Sequence, residues 1–542
     1  RMACLDRRLA GTRALIEAYR GGVDAKGVDR AVVAVADLPA IADCDDGGAL
    51  LRELPLPADP AVRARIGALE TRLDRASAQD RLVHWKEAAS EAEAIAAEAA
   101  RTAWPPVEAR ALMLLHNSLS ALGRYPEASA ALRRTIDAAA RARDDDLLAR
   151  AWPALIYELG AFEKHADEAL ALRQSAEAAV LRTGNRLPDR VALATALGAS
   201  LREAGKADQA EALLAPLAAE VDATAAVDMP RRTGLLNILT TVLRQEGKYT
   251  EALANQRKVV DLYAAALGPE HPFVAGATFN LANLVFHLGD TAEARRLLER
   301  VLAVQERSLG PDHPDVARTL TTLALRVDMD GEPERALAML ERALAIKEKQ
   351  APGSPELHST LFNMAGVLMR LHRDDEARAR MQRAVDILVA AYQGKDHPDL
   401  AWVIGGLGDT YLHQERFREA EREYLRALAM WRRLDPRHRK AALAMTDLAQ
   451  ARIGLHRHAE ARADLDHAIA LLTSLGGDRD ADLVSPLLAL ADLHLAQQRY
   501  AEAAAAAERA LAILGDHGEA DQLERARDAL SAARRRVSRR TR

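Results

Sequence analysis

Two stretches set an acid and a histidine ahead of a proline: Glu270-His271-Pro272 in LGPEHP and Asp312-His313-Pro314 in LGPDHP. Acid and imidazole together make metal sites and general acid/base pairs. HRHAE (456–460) adds two histidines, and GGLGD (405–409) has the glycine content of a phosphate-binding loop. Each has a plainer reading. The histidine of the first pattern is replaced at Ser354, Met229 and Leu187 while the proline stays, so the proline reads as the persistent element and the histidine as dispensable. A catalytic or metal role would need the reverse. His456 and His458, two apart, point to different helix faces and have no third ligand in view. GGLGD follows no strand and so fails the context test for a dinucleotide loop. The only cysteines are Cys4 and Cys44, which excludes a CxxC metal site and leaves one bridge between them open. No metal, cofactor or catalytic residue is expected.

The elements that carry these residues repeat. GRYPEA (123–128), KHADEA, GKADQA, GKYTEA, GDTAEA, GEPERA, HRDDEA, ERFREA, HRHAEA and QRYAEA (498–503) recur at steps of 41 to 43 residues. Their final alanines are Ala128, Ala169, Ala210, Ala252, Ala294, Ala336, Ala377, Ala420, Ala461 and Ala503. Seven residues on, a small or β-branched residue is common: Ala176, Val259, Val301, Ala343, Ala384, Ala427, Ala468, Ala510. Amphipathic stretches flank each hexapeptide, such as PFVAGATFNLANLVFHL before one and AEARRLLERVLAVQERSL after it. Their apolar spacing is helical. Each unit therefore reads as helix A, a tight turn, helix B and a longer loop. Pro188, Pro230, Pro272, Pro314, Pro355 and Pro398 stand where helix A begins, a position that tolerates the missing N–H. A degenerate further unit is expected around VHWKEA (83–88), and Lys164 occupies a turn position that holds glycine in five of the ten units.

The hexapeptides and the small residues of helix B resemble the tetratricopeptide repeat, in the kinesin-light-chain-like subtype whose units carry a GPDHP loop. The resemblance spans roughly residues 80–516. It implies an all-α fold, a right-handed α-solenoid of about ten to eleven helix-turn-helix units of about 42 residues. Residues 1–78 are expected to form a helical linker segment, with helices over 4–19 and 28–38. Residues 79–516 would form the superhelix, and 517–542 a capping helix with a basic tail. In such repeats the position nine residues before the turn faces a concave groove, where asparagine grips a peptide backbone. Here it is Asn280, Thr322, Asn363, Gly406 and Asp447; Asn283, Leu325, Gly366, Asp409 and Gln450 follow three residues on. The expected groove residues are Asn280, Asn283, Arg318, Asn363, Arg370, Trp402, Asp409 and His413. The expected partner is a protein or peptide.

A second resemblance covers most of residues 1–180. RMACLDRRLAGTRAL, LPAIADCDDGGALL and LPADPAVRARIGALETRL look like the segment that joins kinase to repeats in bacterial serine/threonine protein kinases with C-terminal tetratricopeptide arrays. The kinase motifs themselves are missing: no glycine-rich loop with its lysine strand, no His-Arg-Asp and no Asp-Phe-Gly. The resemblance implies a non-catalytic repeat region that recruits partners for a linked kinase domain. Restraint of that kinase, or self-assembly, is the alternative role. No run of 18 apolar residues and no signal peptide is present, so a cytoplasmic place is favoured. Position 1 is arginine, which suggests a fragment or a processed product. The family's membrane topology would instead put the region outside the cytoplasm, where a Cys4–Cys44 bridge becomes possible. The near-balanced charge of −5 makes no case for nucleic acid. The arginine-rich end (Arg534 to Arg542) reads as a solvated capping helix.

Overall fold

The computed structural model describes residues 2–22, 34–35, 38, 44, 54–102, 104–515 and 520–540. Its described residues form 25 α-helices and no strand. Two compact units divide the chain, residues 1–304 and 305–542, and the division falls inside the helix Thr291–Leu309.

Why the chain folds into pairs is clearest at the turns. Gly123, Gly205, Gly247, Gly289 and Gly331 end a helix A with φ between 72 and 91°, a conformation that favours glycine. Lys164, His372, Glu415, His456 and Gln498 occupy the same phase and take φ between 55 and 62°. The repeat thus dictates a left-handed residue whether or not glycine supplies it. Val83 also does so, at φ 71°, and joins helix Pro60–Arg81 to helix Trp85–Ala100. Helix Pro60–Arg81 runs through position 79, where the array is expected to begin. The helix expected over 28–38 lies largely outside the described residues; the one over 4–19 is Met2–Arg20.

All ten alanines that close the hexapeptides are fully buried, and so are the small residues seven positions on, of which Val301 is the most exposed at 1%. These are the contact points of helix B with helix A of its own and the next unit. A larger side chain there overpacks the seam, at about 1–3 kcal/mol. GGLGD sits in helix Pro398–His413. A Cβ on Gly406 would meet Phe362 at 2.6 Å, and one on Gly408 would meet the ring of Tyr424 at 2.6 Å. Gly406 and Gly408 serve close helix packing, while a Cβ on Gly405 would meet nothing within 4 Å.

The acid-histidine-proline loop differs from expectation. His271, His313 and His397 are the N-caps of their helices: each Nδ1 accepts the backbone N–H two residues on, at 3.1–3.2 Å. His438 does the same for Lys440 at 3.1 Å, and no proline follows it. Asp228 caps through the N–H of Arg231 and Asp480 through that of Asp482. A His or Asp side chain thus caps these six helix starts, so the histidine has a role where it stands, whereas the starts at Arg186 and Glu356 have no side-chain cap. Pro355 also departs, because its helix starts only at Leu357.

His438 additionally stacks on Trp431, with ring centroids 4.6 Å apart. His438→Ala removes cap and stack and is expected to cost about 2 kcal/mol, whereas His438→Asp keeps the cap and loses roughly half as much. Amide exchange protection of helix Arg439–Gly454 in both variants checks this. Equal losses would mean that the ring, not the acceptor, matters.

Candidate functional site

In the second unit the helices A of neighbouring repeats approach one another more closely than the helices B do. Pro314–Met329, Leu357–Arg370, Pro398–His413, Arg439–Gly454 and Val484–Ala496 form this face. Closer spacing on the A side makes it the inner, concave side of the unit. Arg318, Asn363, Arg370, Trp402, Asp409 and His413 all lie on these helices. Asn280 and Asn283 lie on helix Pro272–His287 of the first unit.

The amides of Asn280, Asn283 and Asn363 take no hydrogen bond among the described residues, and each is at least partly exposed. They retain the donor and acceptor that an extended backbone needs. The cationic and imidazole candidates are engaged within the fold. Arg370 holds the buried Asp328, its Nε 3.0 Å from Oδ1. Arg318 pairs with Asp315 at 2.9 Å, and His413 Nδ1 lies 2.9 Å from Asp374. The asparagine position is also interrupted. Thr322 donates its hydroxyl to the Arg318 carbonyl, and the space above Gly406 is filled by Phe362.

Trp402 lies at the centre of a small ladder. Its ring stacks on Phe362 of the preceding helix A at 5.5 Å, and Lys440 Nζ of the following one stands 4.2 Å over it. A cation over an indole face contributes about 0.5–1 kcal/mol when exposed. Phe362 and Lys440 were not legible as site residues. They stand 40 and 38 residues from Trp402 and so occupy no common repeat position.

Below the ladder sits an acid pair. Tyr424, fully buried on helix Phe417–Leu434, donates its hydroxyl to Asp409 Oδ1 at 2.7 Å. Desolvation pushes the Asp409 carboxyl up to about 6, against the pull of that hydrogen bond. Asp447, on the next helix A, is raised well above the ordinary range, by burial first and by Asp409 second. Burial and the adjacent Asp409 raise the Tyr424 hydroxyl as well. Both aspartates keep some solvent contact while their carboxyls are desolvated, the combination expected on the floor of a concave face. Among the described residues no cluster of three or more His, Cys, Asp or Glu is arranged to hold a metal ion.

Residues 274–349, 356–433 and 440–516 match a family model of the tetratricopeptide repeat, and residues 234–273 match a second model of the same repeat. Together these segments make up half of the chain. The chain belongs to the tetratricopeptide-repeat proteins. Three solved structures are similar over part of the chain. One is a Podosopora anserina protein described as a kinesin light chain with nearly identical TPR-like repeats. It is 24% identical over 37% of this chain and 95% of that one, with a TM-score of 0.34. BtubC (BKLC) from P. vanneervenii is 22% identical over 43% of this chain and 92% of its own, with a TM-score of 0.38. A tetratricopeptide repeat protein from Parabacteroides merdae is 15% identical over 56% and 98%, with a TM-score of 0.39. No curated protein matches the sequence. Within this tetratricopeptide-repeat protein, the matched segments hold every expected groove residue. Among its described residues no helix is long and apolar enough to cross a membrane.

Proposed function

We propose that this tetratricopeptide-repeat scaffold captures an extended segment of a protein partner on the A-helix face of its second unit, and that it is the partner-recruiting region of a bacterial serine/threonine kinase. The observation that carries the first part is the neighbourhood of Asn363. Its amide is unengaged, and beside it Phe362, Trp402 and Lys440 form an aromatic shelf under a cation. An amide bonds a peptide backbone, and the shelf takes an apolar or aromatic side chain. Asn280 and Asn283 offer the same amide chemistry on the first unit. The kinase assignment is supported by the stretches RMACLDRRLAGTRAL and LPADPAVRARIGALETRL. Kinase motifs in the reading frame upstream of residue 1 are its direct test.

Panning a displayed peptide library against the full chain tests the binding face. Selected peptides should lose at least tenfold in affinity with Asn363→Ala/Trp402→Ala. Arg378→Ala, on a B helix, should leave affinity unchanged. Equal affinity for all three proteins would remove the groove assignment.

A further inference from the structure

The acid floor of the A-helix face lacks a counter-charge. Asp409 and Asp447 stand on successive helices A, Pro398–His413 and Arg439–Gly454. Asp409 accepts the Tyr424 hydroxyl, and Asp447 takes no hydrogen bond among the described residues. Nor does any described arginine, lysine or histidine pair with either carboxylate. Helix Pro398–His413 carries no arginine or lysine, and its His413 faces Asp374. The arginines of the next helix A are taken: Arg439 by Asp480 and Asp482, Arg452 by Glu421 and Asp464. Burial raises both carboxyls; the Tyr424 hydrogen bond opposes this at Asp409, and Asp409 adds to it at Asp447, with no cation acting on either.

Two desolvated acids side by side, with no cation to offset them, are costly to keep in a fold. They are not sealed in, because both residues keep some contact with solvent. A group arriving on the face can therefore reach them. The acidity also continues along the same helices. Asp492, at the repeat position of Asp409, begins a cleft of about 490 Å³ that Glu524 and Asp528 line as well. The only cation lining that cleft is Arg525, which donates to Asp492 at 2.6 Å. The one lysine near the acid pair, Lys440, is placed apart, over the Trp402 ring.

From the missing counter-charge and its access from the inner face, we propose that the captured segment is basic, and that a lysine or arginine of the partner sets its charged head between Asp409 and Asp447. This rests on the binding face proposed above and adds the partner's chemistry to it. The head donates N–H groups to the oxygens that Tyr424 leaves open. The layout also sets a register. Asp409 follows Trp402 by seven residues on one helix, about 10 Å along its axis. An extended segment covers that distance in about three residues. An apolar side chain at the aromatic shelf thus places a basic one, about three residues away, over the acid floor. Lys440 repels a basic side chain at the shelf itself and so disfavours the shifted register.

The test takes peptides panned from a displayed random library on the full chain and keeps those weakened by Asn363→Ala/Trp402→Ala, for which the face already holds. These should carry lysine or arginine within about four residues of their apolar anchor. At pH 8, Asp409→Asn/Asp447→Asn should weaken them by about tenfold or more. Replacing the basic residue by glutamine should weaken binding to the wild type as much and add little in the double variant. Asparagine keeps the shape of aspartate and an acceptor for Tyr424, and exchange protection of 398–454 confirms that the variant is folded. Kept peptides that lack a basic residue, that bind the double variant as tightly as the wild type, or whose two losses simply add overturn the basic partner and leave the face standing. If no peptide depends on Asn363 and Trp402, the face falls and the basic partner with it.

Discussion

Gly160→Ala is expected to destabilise the first unit by about 3 kcal/mol, near the upper end of what overpacking costs. Gly160 lies in a single π-helical turn, Glu158–Phe162, that ends helix Asp145–Tyr157. A Cβ built on it would fall 2.0 Å from Ser200 Oγ, 2.8 Å from its Cβ and 3.0 Å from its Cα. Rotating Ser200 gives no escape, because two of those atoms do not move with χ1. The hydroxyl is also held, by the carbonyls of Ile156 at 3.2 Å and Ala196 at 3.0 Å, and Ser200 is fully buried. The helices must separate instead, which loosens a close-packed interior. Ser200→Gly in the same chain should return most of the loss, since it removes both side-chain atoms. Long arrays unfold in more than one step. The comparison is therefore best read as exchange protection of peptides from 145–203 in the two variants. Additive effects would show that Gly160 acts through something other than Ser200.

That prediction shows where the sequence is legible and where it is not. The turns and the buried alanines repeat, and repetition reveals them without any coordinates. Gly160 does not repeat. It lies in LGAFEKHADEAL, where the turn glycine is replaced by Lys164, and the extra residue of the π turn leaves no local composition signal. Val83 was similarly hidden, since a β-branched residue is among the last expected in a left-handed turn. Only the phase of the array imposes that conformation. The candidate site divides the same way. Asn280 and Asn363 follow from repeat position alone. The partners of Arg370 and His413 do not: Asp328 stands one repeat step before Arg370 and Asp374 lies on the neighbouring B helix, but neither aspartate recurs at its position in the other hexapeptide units to mark the pair. Nor does the Phe362–Trp402–Lys440 ladder, whose members keep no common register.

The acid pair gives the second large effect, a stability that falls as pH rises. In the unfolded chain Asp409 titrates near 4. In the fold its carboxyl is pushed up to about 6 by desolvation. The folded state therefore binds the proton more tightly than the unfolded chain. The resulting stabilisation is fully present below about pH 4 and is lost as pH rises through about 6. Two pH units of displacement correspond to roughly 3 kcal/mol; partial solvent contact reduces this to about 2 kcal/mol for Asp409. Asp447 acts in the same direction, since it too is raised and Asp409 is one of the causes. Asp409→Asn removes the charge and keeps an oxygen for the Tyr424 hydroxyl. At pH 8 the variant should be more stable than the wild type by about 2 kcal/mol, and at pH 5 the gap should narrow to roughly half of that. Exchange protection of helices Pro398–His413 and Arg439–Gly454, followed from pH 5 to 8 with correction for intrinsic exchange, reads this directly. A wild-type profile as flat as that of the variant would show that solvent reaches both carboxylates freely. If the profile slopes as expected, the floor of the A-helix face changes charge across neutral pH. A partner that brings a cation there would then displace a proton, and its affinity would rise with pH over the same interval in which the free protein loses stability.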